Sequence, residues 1–278
     1  FTIYLALFRR DYFTKPRSIA MVYSLITLFP VLVSLMMQHT YFGFSVYVLP
    51  FAFVPIFIRV FMDSRTAFIS HIVMVLLCAY VVRYQFEFIF IQIVAGLVAI
   101  YSLREMSSRA QVFKTAVMVC LAMCVSYFTL RLMQSGDEFK LDSNMYYHFF
   151  ICGVLLLLAY PLMYLVEKAF GFVSNITLIE LSNTNRGLLR DLSEVAPGTF
   201  QHSITVGNLA SEIANKIGAN ATLVRTGALY HDIGKMINPA FFTENQQGGI
   251  NPHDNLTDKE SAKIIIEHVP NGVKLAEE

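Results

Sequence analysis

This sequence of 278 residues has no tryptophan, only four cysteines and few charged side chains, which make up 15% of its residues. The cysteines lie singly in apolar segments without a CxxC spacing, at Cys78, Cys120, Cys124 and Cys152. That pattern argues against both a disulfide scaffold and a zinc knuckle. The formal net charge is only +1, so we expect no nucleic acid polymer as a partner. The chain also lacks an initiating Met and a basic signal-like start, which predicts that its first apolar segment is clipped.

Apolar residues, in contrast, are abundant, at 55% of the chain with a mean hydropathy of +0.54. Several runs approach the length that an α-helix needs to cross ~30 Å of hydrocarbon. We therefore predict a polytopic helical membrane bundle with about seven crossings. The predicted crossings are residues 1–8 (clipped), 19–37, 46–61, 66–82, 86–103, 117–133 and 149–166.

The charges between these runs predict an orientation. Basic residues cluster at 9–17, 59–65 and 104–114, whereas 135–142 has an acidic surplus. Because Lys and Arg are enriched in cytoplasmic loops, the chain after residue 166 is predicted to lie in the cytoplasm. Pro161 predicts a kink in the last crossing. Within the crossings, Arg131 is predicted to reach the outer interface, and His71 is left open as a proton or ligand contact.

From residue 173 onward the pattern predicts a second, entirely helical domain, after a membrane domain at residues 1–172. Pro197 and Gly198 are expected to break the chain before a helix that carries His202 in its first turn. Asn220 is a predicted N-cap, Thr257 and Glu260 have the spacing of a capping box, and Pro270 is expected to end the last helix. The predicted helices are 176–182, 186–195, 200–217, 221–230 and 258–268.

The sequence YHDIGK at residues 230–235 is the strongest chemical signal. It places His231 beside Asp232 after an apolar run, with His202 upstream and His268 downstream. Imidazole and carboxylate groups together bind a divalent cation and leave positions open for water. An isolated His-Asp pair is more often an ordinary surface pair, so the neighbouring motifs decide its interpretation.

Those motifs occur in a characteristic order: LSN at 181–183, APGTFQHS at 196–203, HDIGKM at 231–236, ENQ at 244–246 and NPHD at 251–254. The chain resembles the HD superfamily of metal-dependent phosphohydrolases and, more closely, the bacterial seven-transmembrane receptors with an intracellular HD domain. Members of that family include cyclic di-AMP phosphodiesterases. The resemblance implies an all-α HD domain at residues 173–278, of which this chain holds the N-terminal part only, and a bacterial inner-membrane protein whose HD domain is cytoplasmic.

The resemblance also implies a set of site residues. His202, His231 and Asp232 would serve one metal, Asp232 would bridge to a second, and His268 would serve the second; Mn and Fe are the favoured ions. His231, Asp232 and Lys235 would be catalytic. Lys235, Asn245 and Gln246 would contact a cyclic dinucleotide, which the enzyme would open to linear pApA. Alternatives remain for the last three residues: Lys235 as a solvated charge at a helix end, and the two amides as turn formers.

One departure affects the predicted activity. The family pattern continues beyond His268 with an adjacent His pair and a distal Asp, and this chain stops at Glu278. We therefore expect the full-length protein to be an enzyme and this stretch alone to be inactive. Two alternatives stay open: a receptor whose HD domain binds nucleotide without turnover, and an HD phosphohydrolase of another nucleotide. The lipid bilayer is the other expected partner, and a homodimer is compatible with the sequence.

Overall fold

The computed structural model describes residues 1–38, 45–103, 111–134, 142–246, 248 and 251–277. The chain forms two compact units, Phe1–Ser174 and Asn175–Glu278. Within the described ranges every regular element is helical, which confirms the predicted all-α fold class.

The first unit contains nine α-helices among its described residues. They are α1 (Thr2–Phe8), α2 (Arg10–Phe13), α3 (Pro16–Gln38), α4 (Phe53–Phe61), α5 (Ser64–Ala79), α6 (Gln85–Ser102), α7 (Gln111–Gln134), α8 (Ser143–Leu156) and α9 (Ala159–Phe170). Three of them, α3, α6 and α7, are long and apolar enough to cross a membrane. The α8–α9 pair passes the same test as one bent span, and the apolar segments Val46–Phe61 and Ser64–Ala79 are shorter. Residues 39–44, 104–110 and 135–141 lie outside the described residues, so the charges at 104–110 and 135–141 on which the predicted orientation partly rests lie outside them too.

Two of these segments are irregular, and proline explains the first. The α8–α9 pair is bent by 46° at Leu157 and Leu158, and Pro161 follows four residues after Leu157, whose carbonyl its ring would meet in a continuous helix. The kink predicted from Pro161 is therefore present. The predicted crossing at 46–61 is not one continuous helix, because a 3₁₀ turn at Val46–Val48 is followed by α4 only from Phe53.

Aromatic rings fill the centre of the first unit. The Phe51 and Phe88 ring centroids are 5.2 Å apart, and those of Tyr127 and Phe149 are 5.7 Å apart. Each of these four rings has no exposed surface. Edge-to-face pairs of this kind add favourable energy beyond the burial of their area, so the helices are joined by a specific aromatic core.

The ionisable residues of the crossings find partners inside the bundle. Arg131 lies 3.8 Å from Glu87, which is almost fully buried at the start of α6. Arg131 therefore pairs across two helices, a partner that snorkelling to the interface did not predict. His71 is fully buried and its Nε2 donates to the carbonyl of Gln92 at 2.7 Å. Its ring packs where a Cβ on Gly96 would stand, 2.2 Å from His71 Cδ2, so Gly96 makes room for this contact.

The second unit consists of five α-helices and a series of short 3₁₀ turns in its described part. The helices are α10 (Asn175–Leu181), α11 (Gly187–Val195), α12 (Pro197–Lys216), α13 (Ala221–Tyr230) and α14 (Asp258–Glu277). The turns are Ile233–Ile237, Pro239–Phe241, Thr243–Asn245 and Pro252–Asn255. The N-cap prediction for Asn220 is confirmed by a 3.0 Å bond from the Leu223 amide. The capping box of Thr257 and Glu260 is confirmed too, since the Thr257 amide donates to Glu260 at 3.0 Å.

Two helix boundaries differ from the prediction. Pro197 and Gly198 do not break the chain before α12 but form its first turn, because proline lacks only an N–H that has no helical acceptor there. His202 consequently lies in the second turn of α12. The last helix continues through Pro270 to Glu277, and its packing against the turn Ile233–Ile237 offsets the lost hydrogen bond.

Apolar residues recur at helical spacing along α12, at Val206, Leu209, Ile213 and Ile217, but they do not form its buried face. Leu209, Ile213 and Ile217 are each more than half exposed, whereas small residues make the contacts with the neighbouring elements. The buried positions of α12 are Thr199, Ser203, Gly207 and Ala214. The predicted helix is therefore present, and its packing depends on small side chains and not on the apolar residues that indicated it.

Candidate metal centre

The His-Asp pair lies where α13 ends and the chain turns into the 3₁₀ segment Ile233–Ile237. Ile233 is buried in a small core with Leu192 and Ala196, so the residue after Asp232 anchors the pair. Asp232 is only 6% exposed. The carboxylate is therefore held against the protein interior by its neighbour in sequence.

Hydrogen bonds fix the orientation of the two histidines that flank Asp232. His231 Nδ1 lies 2.7 Å from the carbonyl oxygen of Ala228, and His268 Nδ1 bonds to the carbonyl of Ile265. A carbonyl oxygen only accepts, so each Nδ1 carries the hydrogen and each Nε2 keeps its lone pair. Metal-binding histidines are commonly oriented in this way.

The two free nitrogens face opposite oxygens of the same carboxylate. His231 Nε2 lies 3.1 Å from Asp232 Oδ2, and His268 Nε2 lies 3.4 Å from Asp232 Oδ1. His202 joins from the exposed face of α12, where its ring centroid is 5.9 Å from that of His231. One ligand atom from each of His202, His231 and Asp232 lies within 4.8 Å of the others. Two imidazoles and one carboxylate are ligands that suit Mn, Fe or Zn, and the cluster contains no thiolate.

Two glycines allow the backbone approaches that build this site. A Cβ on Gly234 would stand 1.9 Å from the carbonyl oxygen of His268, so only glycine lets α14 come this close to the 3₁₀ turn. A Cβ on Gly198 would stand 1.8 Å from the carbonyl oxygen of Glu244. The glycine in the HDIGK motif therefore has a structural reason: it brings His268 to Asp232.

Lys235 lies between two carboxylates at the edge of the cluster. Its Nζ is 2.8 Å from Asp232 Oδ2 and 2.7 Å from Glu244 Oε1, and its side chain is 14% exposed. Burial alone would lower the pKa of Lys235, but its hydrogen bonds to the two carboxylates outweigh burial and raise the pKa. A solvated charge at a helix end, the simpler of the two sequence-based interpretations, does not describe this side chain.

Glu244 was not predicted as a site residue. Burial would raise the pKa of its carboxyl group, but the hydrogen bonds from Lys235 and Thr199 hold the pKa below its ordinary value. The Thr199 hydroxyl donates to Glu244 Oε1 at 3.0 Å. No periodic pattern in the sequence links Thr199, Lys235 and Glu244. The ENQ motif at 244–246 was the signal that could have drawn attention to Glu244.

The two predicted substrate-contacting amides both have intramolecular partners. Asn245 Oδ1 accepts from the Thr199 amide at 3.0 Å, and its Nδ2 donates to the Thr199 hydroxyl at 2.8 Å. Gln246 Nε2 donates to the carbonyl of Ala240 at 3.1 Å. Asn245 thus fastens the turn Thr243–Asn245 to the start of α12, and a substrate role for either residue stays a prediction.

A membrane bundle followed by a helical unit with a His-Asp cluster defines the class: a membrane-anchored protein with an HD-type domain. The family described as "7TM receptor with intracellular HD hydrolase" matches residues 1–174, and the HD domain family matches residues 199–278. The chain belongs to the family of 7TM receptors with an intracellular HD hydrolase, as its motifs predicted. The HD domain is a metal-dependent phosphohydrolase fold.

Relatives with this organisation include two named proteins. Cyclic-di-AMP phosphodiesterase PgpH of Listeria monocytogenes serotype 1/2a (strain 10403S) is 33% identical over 261 residues, 91% of this chain and 36% of that protein. Its namesake in Bacillus subtilis (strain 168) is 32% identical over 241 residues, 82% of this chain and 33% of that protein. The chain spans about a third of the length of these relatives. The crystal structure of the L. monocytogenes PgpH HD domain with cyclic-di-AMP is 50% identical in sequence, covers 34% of this chain and 44% of that chain, and has a TM-score of 0.33.

Proposed function

We propose that this chain is part of a membrane-anchored, metal-dependent phosphodiesterase that hydrolyses cyclic di-AMP to linear pApA. The observation that carries the proposal is the arrangement around Asp232, whose two oxygens face His231 on one side and His268 on the other. Both relatives compared above are cyclic di-AMP phosphodiesterases by name. The substrate is assigned from those relatives, while the reaction class is supported by the donor set.

We propose two metal ions, with Mn and Fe favoured. His202, His231 and Asp232 would hold the first, and Asp232 and His268 would contribute to the second, because each carboxylate oxygen has its own imidazole partner. Bound there, the ions would polarise the phosphodiester and activate water for in-line displacement of the sugar 3′-oxygen. The intramolecular bonds at both Nδ1 atoms keep the Nε2 lone pairs directed at the site.

The charges around the cluster suggest how the substrate is oriented. Lys235 balances Asp232 and Glu244, and its raised pKa keeps it protonated at neutral pH. We propose that its ammonium also contacts a non-bridging phosphate oxygen, which makes His231, Asp232 and Lys235 the catalytic group. Asn245 and Gln246 border the same turn and are proposed to edge the nucleotide pocket, with Asn245 chiefly holding that turn against α12.

The membrane unit and the charges between its predicted crossings support a proposal for the location of the protein. We propose that residues 1–172 lie in the bacterial inner membrane and that residues 173–278 belong to the HD domain on the cytoplasmic side, where a cyclic dinucleotide messenger is found. We propose the lipid bilayer as one partner of the membrane unit. A homodimer is compatible with the proposed location.

The first test measures metal content and cyclic di-AMP turnover on the detergent-solubilised full-length protein. We expect two metals per chain and a linear dinucleotide product, with both strongly reduced in His231→Ala and Asp232→Ala. His253→Gln is the matched control, because His253 bonds to Phe241 and Ser261 and lies outside the cluster. Its metal content should remain that of the unmodified protein.

Two outcomes would contradict the proposal. Bound cyclic dinucleotide without turnover in the metal-loaded protein would instead establish a receptor with a non-catalytic HD domain. Turnover of another nucleotide, with cyclic di-AMP untouched, would keep the hydrolase and refute the substrate.

A further inference from the structure

A cavity of about 480 Å³ opens between α6 and α7 in the membrane unit, far along the chain from the metal cluster. α6 contributes Leu97, Val98 and Tyr101 to its wall, and α7 contributes Gln111, Lys114 and Met118. The two helices pack together as consecutive elements of a hairpin. The cavity therefore lies between two membrane-length helices, on a surface that faces lipid in a bilayer.

The wall of this cavity changes character along the hairpin. Leu97, Val98 and Met118 form its apolar part, away from the helix ends. Tyr101 and Lys114 lie about one turn closer to the connection between the helices, and Tyr101 is 75% exposed. Because both helices become polar at the same end, the cavity is apolar at membrane depth and polar at the interface, where tyrosine is typically found.

Lys114 is the charged group of this wall, and its ammonium is available to bind a ligand. Gln111 Nε2 already donates to the carbonyl of Ser102 at 2.7 Å, and the Ser102 hydroxyl pairs with Thr115 at 2.9 Å. Within the described ranges no hydrogen bond or ion pair engages the Lys114 ammonium. The sequence between the two helices holds Arg104 and Arg109 against a single acidic residue, Glu105, so the net charge of this segment is positive.

We propose that this cavity is a binding site for one anionic phospholipid. The lipid phosphate would accept hydrogen bonds from Lys114 and from the Tyr101 hydroxyl, and an acyl chain would follow Leu97, Val98 and Met118. Basic pockets between membrane helices on the cytoplasmic side bind anionic headgroups in this manner. A zwitterionic headgroup brings its own cation, which competes with Lys114 for the phosphate, so the site prefers a headgroup of net negative charge.

The test uses the full-length protein in detergent, with phosphatidylglycerol and phosphatidylcholine of the same acyl chains as probes. Native mass spectrometry counts the lipid that stays bound, and we expect phosphatidylglycerol to be retained about fivefold better, the effect of one lysine near a membrane surface. Lys114→Gln should abolish this preference and Lys114→Arg should keep it. Lys168→Gln, which removes an exposed lysine from α9 outside the cavity, is the matched control and should also keep it.

A second variant tests the apolar part of the site separately. Met118→Trp fills the path of the acyl chain, so it should reduce the retention of both lipids without reversing their order. Equal retention of the two lipids by the unmodified protein would overturn the proposal. An unchanged preference in Lys114→Gln would do so as well, because the headgroup would then be recognised elsewhere.

Discussion

Lys235 and Glu244 show that the candidate site depends on contacts between side chains of separate motifs. Lys235 joins the His-Asp pair to Glu244, and Glu244 is joined in turn to Thr199 at the start of α12. Through these three contacts, the helix that carries His202 is held in register with the turn that carries Asp232. We infer that Glu244 positions Lys235.

The depressed pKa of Glu244 makes a pH-dependent prediction. Its folded-state pKa lies below the ordinary value of 4.5, so the unfolded chain binds more protons in acid and the contribution of Glu244 to stability is lost as pH falls through the folded pKa. We expect Glu244→Gln to lower the free energy of unfolding by about 1 kcal/mol at pH 7, the size of one partly exposed charged contact. Below pH 4.5 the difference from the unmodified protein should shrink towards zero.

Thermal unfolding of the detergent-solubilised protein, followed by circular dichroism from pH 3.5 to 7, checks this dependence. Glu212→Gln is the control, because Glu212 is exposed on α12 and has no ion pair among the described side chains. A difference between Glu244→Gln and the unmodified protein that stays constant down to the lowest pH would rule out titration of Glu244 as its cause.

At the residue scale the sequence named candidate metal ligands and did not reveal the side chains that hold them in place. His202, His231, Asp232 and His268 were named from the family resemblance of their motifs; the structure places the first three in one cluster and His268 beside Asp232. Thr199 and Glu244 lie 45 residues apart in the chain, and their contact depends on the close approach that Gly198 allows. No local pattern encodes such a contact, because it arises from tertiary packing.

The elements were predicted where their signals are local. Two helix starts were predicted correctly from capping residues, at Asn220 and at the pair Thr257 and Glu260. A capping side chain bonds within three residues, so its signal is local. The prediction that Pro270 ends the last helix was wrong. The cost of a proline in a helix interior, about 3 kcal/mol, is local, whereas the packing of α14 against Ile233–Ile237 that offsets it is a tertiary contact. α12 was likewise predicted from apolar residues at helical spacing, and three of them, Leu209, Ile213 and Ile217, are exposed in the described part of the fold.

The approach of α14 to the His-Asp turn gives a prediction at the scale of elements. Gly234→Ala would place a methyl group against the His268 carbonyl and the Gly272 amide, backbone atoms that cannot rotate away. We expect α14 to shift, the contact between His268 and Asp232 to be lost, and the free energy of unfolding to fall by about 1–3 kcal/mol. Calorimetry and metal content, measured on the same full-length preparation, report the two effects.

Gly227→Ala is the matched control for this variant. A Cβ on Gly227 meets no atom within 4 Å, and alanine is the better helix former in α13 by about 1 kcal/mol. It should therefore stabilise the protein slightly and leave its metal content unchanged. Full metal content in Gly234→Ala would show that His268 does not depend on the close approach of α14.

At the scale of the whole molecule, the two units are suited to different surroundings, the first to a bilayer and the second to water. The first unit satisfies its backbone within helices, as a bilayer requires, and it pairs the buried Glu87 with Arg131 near the predicted outer ends of α6 and α7. The second keeps histidines accessible on its surface. The proposed substrate is a cytoplasmic messenger, so the orientation of the chain determines whether the proposed function is possible.

The distribution of Lys and Arg between the crossings predicts that orientation, and chemical labelling from outside the cell can test it. In a cysteine-free background, a membrane-impermeant maleimide should label Arg83→Cys on intact spheroplasts, because the turn between α5 and α6 is predicted to be external. Lys216→Cys, at the end of α12, should be labelled only after permeabilisation. Both positions are exposed, so protection reflects the membrane and not burial. The reverse pattern would place the HD domain outside, away from a cytoplasmic messenger, and would refute both the orientation and the proposed substrate.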